Sequence, residues 1–228
     1  IPLRLVGSEM CIRDSTIPPK LTLSGLYSFL VNPMWGLNYV SRAKFELPHL
    51  KDHVVAGTSA VTSIGQYFSE MLDQSMTWKD AEKLCSEWGG HFALKGIMSV
   101  EDAKKAVDIG CTGIMVSNHG GRQLDGSCAP FDQLAAIVDA VGDKIDVICE
   151  GGIQRGTHVL KALATGAKAC SGGRLYLYAL AGAGQLGVER SLGLLRSEIE
   201  RDMKLMGCKS IKELNRSKIK SRTFNSVL

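Results

Sequence analysis

The 228-residue sequence has no block of five or more like charges, no CxxC pair and no uninterrupted apolar run approaching the ~20 residues that a membrane-crossing helix needs. Each absence removes a class of protein. Without charge blocks, and with a net charge of only +4, no dedicated nucleic-acid surface is expected, although a mildly basic surface suits anionic substrates. The seven cysteines (Cys11, Cys85, Cys111, Cys128, Cys149, Cys170 and Cys208) are scattered and show no metal-ligand spacing. They are expected as reduced core thiols, with no metal site, in a cytoplasmic protein that is free or peripheral to a membrane. The first fifteen residues, IPLRLVGSEMCIRDS, lack the apolar core of a signal peptide and resemble translated sequencing-adaptor sequence. Residues 1–15 are therefore expected to be non-native. Arg4 and Arg13 offset Glu9 and Asp14, so setting them aside leaves the charge unchanged.

What is present is an ordinary globular composition, 45% hydrophobic and 22% charged. From Phe92 onward, short apolar runs alternate with amphipathic stretches, the pattern of consecutive βα units in a parallel sheet. Expected strands are His91–Gly96, Gly113–Asn118, Asp146–Glu150 and Lys168–Gly173. The first is followed by a helix that Ser99 can cap, with Glu101 and Asp102 in its opening turn. Further helices are expected near Phe131–Val141, Thr157–Thr165 and Val188–Met206, the second of these closed by Gly166. Upstream, Thr77 can cap a helix TWKDAEKLCSEWG. Residues 16–76 read as a long, partly helical loop. The βα units fill 77–208, and 209–228 read as a terminal helix that frays into a basic, solvated tail bearing Arg216, Lys218, Lys220 and Arg222. Four such units leave sheet edges open and one face uncovered. Either they form the C-terminal half of a (β/α)8 barrel, or two copies pair.

In α/β folds the reacting groups sit where strands end. The four ends are LKG, SNHGGRQLDG, CEGGIQRG and SGGR. In the second, His119 can exchange protons near neutral pH and Arg122 can hold a carboxylate through two parallel hydrogen bonds. That pairing suits a carboxylic acid that loses a proton. The third and fourth ends place glycines, and the N-terminus of the third of the four following helices, where backbone amides could cradle a phosphate, with Arg155 and Arg174 alongside. Lys95 could form a Schiff base, pair with a carboxylate or hold negative charge on a cofactor. His49, His53, His91 and His158 lack partners at ligand spacing, and Trp35, Trp78 and Trp88 are expected to pack.

SNHGGRQLDG, together with KGI, GGIQRGTHVLKALATGAKACSGGR and LYALAGAGQLGV in that order, resembles the FMN-dependent 2-hydroxy-acid oxidases and dehydrogenases from about Thr77 to Leu214, and more loosely back to Pro33. The resemblance implies strands five to eight of the barrel and a variable loop over 16–76. It implies His119 as the active-site base and Arg122 as the clamp on the substrate carboxylate. Lys95 is implied beside the flavin N1/O2 edge, Ser117 at a flavin contact, and Glu150, Gly151, Gly152, Gln154, Gly173 and Arg174 around ribityl and phosphate. The family usually has Asp at 150 and Arg at 154, so one phosphate partner is lost; Arg155 is expected to compensate. The implied activity is oxidation of a small L-2-hydroxy acid to the 2-oxo acid with FMN. Oxygen, quinone or cytochrome would be the electron acceptor, hydride and carbanion routes are both open, and the intact protein would be a homo-oligomer of which this chain is an inactive fragment. Two other readings are a half-barrel that binds flavin or phosphate without turnover, and a different flavin barrel such as an isomerase, which has no evident need of Arg122.

Overall fold

The computed structural model describes residues 23–34, 37, 41, 75–122, 124 and 126–220. The chain divides into two compact units, Ile1–Ser75 and Met76–Leu228. In the first, the described residues form a helix α1 (Leu23–Val31), on which Leu23 and Leu30 are exposed. Most of the loop expected over 16–76, and the tail beyond residue 220, lie outside the described residues, as do Cys11, His49 and His53. No described helix is long and apolar enough to cross a membrane.

The second unit runs α2 (Trp78–Trp88), β1 (Ala93–Lys95), α3 (Val100–Asp108), β2 (Gly113–Val116), α4 (Pro130–Val141), β3 (Asp146–Glu150), α5 (Gly156–Thr165), β4 (Ala169–Ser171) and α6 (Arg174–Leu205). The four strands form one sheet, all parallel, in the order β1-β2-β3-β4. Four parallel strands in sequence order, each followed by a helix, make half of a (β/α)8 barrel. Local signals start the helices where expected. The Thr77 main-chain N–H and hydroxyl both donate to the Asp80 carboxylate at the head of α2, and Ser99 accepts from the Asp102 N–H at the head of α3.

The period-2 alternation of the strands separates two faces. Ile114 and Val116 of β2 and Val147 and Cys149 of β3 point toward the helices and are almost fully buried, packed with Leu134, Ile137 and Val141 of α4. Burial of each such large aliphatic side chain contributes about 1.5–3 kcal/mol. The opposite, inner face carries Lys95, Met115, Ile148, Glu150 and Ser171, all half-buried or exposed. A second, smaller core joins Leu160 and Ala164 of α5 to Cys208 and Leu214.

Several expectations need adjustment. β1, β2 and β4 are shorter than expected because flanking residues leave the ladder; the Phe92 N–H, for example, bonds the Thr112 hydroxyl instead. The helix expected near Val188–Met206 is the part of α6 that follows a kink at Ala183 and Gly184; a further helical stretch from Arg174, built on good and adequate helix formers such as Leu, Tyr and Ala, precedes that kink and was not expected. No terminal α-helix follows Lys209 within the described residues. Two short 3-10 turns, Ile211–Glu213 and Arg216–Lys218, stand there. Arg216 is not a solvated tail residue: it pairs with Asp139 of α4 and donates to the Thr165 and Ala135 carbonyls, fastening the tail across α4 and α5. Trp88, expected to pack, is largely exposed, with its indole N–H on the His91 carbonyl.

Helix α5 meets α6 with no room for a side chain at Gly156. A Cβ there would lie 2.6 Å from Glu198 Cβ and 2.7 Å from the Ile199 nitrogen, so Gly156→Ala should destabilise the unit by about 1–3 kcal/mol. A lowered urea midpoint with an unchanged slope would register that loss. The core cysteines give a second check. Burial pushes the Cys111 and Cys149 thiols up to about 11 and the Cys170 thiol up to about 12, aided in turn by Cys85, Glu150 and Cys149. Iodoacetamide at pH 8 should therefore modify the exposed Cys128 and spare Cys111, Cys149 and Cys170, as read by peptide mass spectrometry.

Candidate active site

The carboxyl ends of β2, β3 and β4 open into one cleft of about 160 Å³. Its walls include His119, Gly120 and Arg122 after β2, Glu150 to Gln154 after β3, and Ser171 to Leu175 after β4. The structure thus brings together His119, Arg122, Glu150, Gly151, Gly152, Gln154, Gly173 and Arg174. Lys95, Ser117 and Arg155 are not in the wall.

His119 follows β2 in a short 3-10 turn, His119–Gly121, capped by Asn118, whose side-chain oxygen accepts from the Gly121 N–H at 3.1 Å. The Asn118 amide nitrogen also donates to the Cys128 carbonyl, tying the turn to the loop ahead of α4. At φ 56°, His119 is the one non-glycine residue in the left-handed region among the described residues. That conformation costs about 1–2 kcal/mol and persists only where surrounding bonds impose it. One such bond runs from the His119 N–H to the Ser117 hydroxyl, 3.0 Å away. Arg122 is half-buried in the same wall and makes no hydrogen bond or ion pair among the described residues, so its fork is open to an anionic ligand. Arg174 lies across the main chain of Gly120, donating to its carbonyl at 3.1 Å.

The end of the cleft after β3 and β4 comprises two glycine turns. At Gly152 and Gly173 nothing lies within 4 Å of where a Cβ would stand, so their backbone faces open space. Gly173 is also the N-cap of α6, a helix start with no side-chain cap, and its first amides are free to meet an anion. The expected contribution of α5 is corrected here. Its Gly156 N–H donates to Glu198 at 2.7 Å, and the Arg155 guanidinium, expected beside the phosphate, is ion-paired with the same carboxylate at 2.6 Å. Both are committed to α6. His158, expected to lack partners, turns back to the Gly152–Gln154 turn, within 3.0 Å of the Gly152 carbonyl and 3.3 Å of the Gln154 N–H. Its ring nitrogen serves one of these at a time, according to tautomer.

Lys95, Ser117 and Glu150 share the inner face of the sheet. The register pairs Lys95 with Met115 and Val116 with Cys149, so Ser117 and Glu150 are the next residues along adjacent strands. The Lys95 ammonium is 3.0 Å from both the Ser117 hydroxyl and the Glu150 carboxylate, and Ser117 donates a short hydrogen bond to the same carboxylate oxygen. Burial works to raise the Glu150 carboxyl, but the bonds from Ser117 and Lys95, the Lys95 charge and nearby His119 hold it below its ordinary value of 4.5.

An uncapped helix start, two open glycine turns and Arg174 suit a phosphate-bearing ligand, and an imidazole in the same wall as a guanidinium unpaired among the described residues suits a carboxylate. Together at the carboxyl rim of a half barrel they define an α/β-barrel enzyme site. Sequence comparison gives the family: the sequence model of FMN-dependent dehydrogenase matches residues 6–221, and the chain belongs to that family. The matched range begins inside the segment expected to be adaptor-derived. The chain is 49% identical over 202 residues to the pre-mycofactocin synthase of Mycolicibacterium smegmatis, covering 87% of this chain and 51% of that protein. It is 46% identical over 204 residues to the L-lactate oxidase of Nostoc sp., covering 90% and 50%. Among solved structures, the monotopic membrane protein (S)-mandelate dehydrogenase superposes with a TM-score of 0.81 at 33% identity, over 91% of this chain and 54% of that one. The chain spans about half the length of the curated relatives it matches.

A lowered folded-state carboxyl means that Glu150 stabilises the fold above its unfolded value, near pH 4.5, and that this contribution is lost as pH falls through the folded value. Urea midpoints recorded between pH 3 and 6 should therefore fall less steeply toward acid in Glu150→Gln than in the unaltered chain.

Proposed function

We propose that the gene's full-length product oxidises a small L-2-hydroxy acid to the 2-oxo acid with FMN as cofactor. One observation carries the reading: a left-handed histidine and an unpaired arginine share one wall of a cleft whose other end is made of open glycine turns and an uncapped helix start. The donor set fits FMN at its phosphate end, where the backbone at Gly152 and Gly173 and the Arg174 guanidinium would hold the dianion. Gln154, neutral in the same wall, adds no charge there. Lys95 offers a cation for the flavin ring edge.

Oxidation of the alcohol releases two protons and two electrons, and FMN when bound supplies the acceptor for the electron pair and one proton. The His119 imidazole takes the other proton. Arg122 fixes the substrate carboxylate in a two-bond fork, which orients the alcohol carbon and selects for an acid. The relatives' names span an L-lactate oxidase, a mandelate dehydrogenase and a pre-mycofactocin synthase, and Arg122 favours the carboxylate-bearing substrates of the first two. Oxygen, a quinone or a cytochrome would reoxidise the cofactor. Our reading keeps the full-length product in the cytoplasm, free or peripheral to a membrane as the description of the monotopic mandelate dehydrogenase suggests, and takes it to be a homo-oligomer.

The cleft of about 160 Å³ is smaller than the roughly 300 Å³ at which sites for whole cofactors begin. It suits the phosphate end alone, so the isolated chain is expected to be inactive. In the full-length product, His119→Gln should lower kcat by at least about 10²-fold while flavin absorbance is retained. Arg122→Lys should chiefly raise KM, because the bidentate fork is lost. Steady-state kinetics on lactate, glycolate and mandelate, with the flavin spectrum alongside, tests both; a folded, colourless product would sink the proposal.

A further inference from the structure

His158 occupies the third position of α5, and its ring turns back over the helix start to the turn that follows β3. There a single ring nitrogen, Nδ1, stands between an acceptor and a donor: the Gly152 carbonyl is 3.0 Å away and the Gln154 nitrogen 3.3 Å away. A neutral ring with its hydrogen on Nε2 accepts from the Gln154 N–H. A protonated ring carries hydrogen on both nitrogens, so it can only donate, and the bond passes to the Gly152 carbonyl. That exchange frees the Gln154 main-chain donor. It also sets a positive charge against a turn whose residues Gly152 and Gln154 line the cleft.

The turn itself has no other cation to spare. Gln154 is neutral, and the Arg155 guanidinium is held by Glu198 at 2.6 Å. The charged groups on the helices packed against α5 are largely paired as well: Asp139 of α4 with Arg216, and Glu198 and Asp202 of α6 with Arg155 and Arg201. Bonds from Arg216 to Asp139, and from Arg155 and the Gly156 N–H to Glu198, hold those two carboxyls below their ordinary values. Asp132 at the head of α4 and Lys161, one turn along α5, complete the set. Side chains of these kinds ordinarily keep one charge between pH 5 and 8, whereas an imidazole ordinarily changes its own there. We propose that His158 is a positioning residue whose protonation is coupled to occupancy of the phosphate end: the protonated ring moves its bond from Gln154 to Gly152 and supplies the positive charge that Gln154 lacks, and a bound dianion in turn favours the protonated ring. This rests on the proposed reading of the glycine turns as the seat of a phosphate.

Sulfate is the probe, because it stays a dianion where a phosphate takes up a proton of its own. The full chain carrying His119→Gln, which removes the histidine of the cleft wall, is titrated by NMR between pH 5.5 and 8. Without sulfate, the Gln154 amide should shift with the same midpoint as the His158 ring. Sulfate should bind at least about threefold more tightly at pH 5.5 than at pH 8, read from the Gly152 and Gly173 amides. Saturating sulfate should raise the His158 midpoint by at least about half a pH unit, which is the same factor by linkage. His158→Gln in that background keeps an acceptor at the third helical position but cannot gain a proton, so its sulfate affinity should stay flat with pH, at the level the histidine chain shows at pH 8. Equal affinity at both pH values with His158 present, a pH dependence that survives His158→Gln, or a Gln154 amide that does not follow the ring would overturn the proposal and leave the phosphate end standing. Sulfate that moves neither glycine amide at any pH would remove the phosphate end, and the proposal with it.

Discussion

The parallel pairing of β2 with β3, buried on one face beneath α4, is the constraint on which the site depends. Ile114, Val116, Val147 and Cys149 form a dry layer with Leu134, Ile137 and Val141. A slip of one residue in that register would turn every one of these side chains to the opposite face. The same register that satisfies the core fixes the polar row on the other side, where Ser117 and Glu150 become neighbours. Packing on the helix side thereby sets chemistry on the inner side, and no separate interaction is needed to bring the two strand ends together.

Much of the architecture was legible in the sequence because its signals are local. β3 was placed at Asp146–Glu150 on its β-branched and apolar run, and the capping residues Thr77 and Ser99 stand where helix starts were expected. Errors arose where distant residues decide the outcome. Arg155 looks like a phosphate ligand beside a glycine turn, but its partner Glu198 lies 43 positions away on α6. Arg216 looks like tail charge until α4 and α5 supply a carboxylate and two carbonyls for it. No helix was expected over LYLYALAGAG, yet Arg174 to Gly182 are helical ahead of the kink at Ala183 and Gly184.

The site divides in the same way. His119 and Arg122 could be singled out because both residue types follow one buried strand within a short glycine-containing turn. Nothing in the spacing tells that Lys95, Ser117 and Glu150 meet, because they end three different strands and only the sheet register brings them together. His158 was passed over for want of a partner at regular spacing; its partners are main-chain groups of the turn just ahead of it. Asn118 offered a usable signal, since asparagine ahead of a glycine-rich turn is a common cap.

Two helices begin near the rim of the cleft, but only one of them starts with amides that have no carboxylate partner among the described residues. The Glu198 carboxylate accepts from the Gly156 N–H at the start of α5 and is itself ion-paired with Arg155, whereas the start of α6 carries no side-chain cap among the described residues. An anion arriving at the β4 side therefore meets helix amides with no bond to displace, whereas one arriving at α5 would first have to break the Glu198 bond to Gly156.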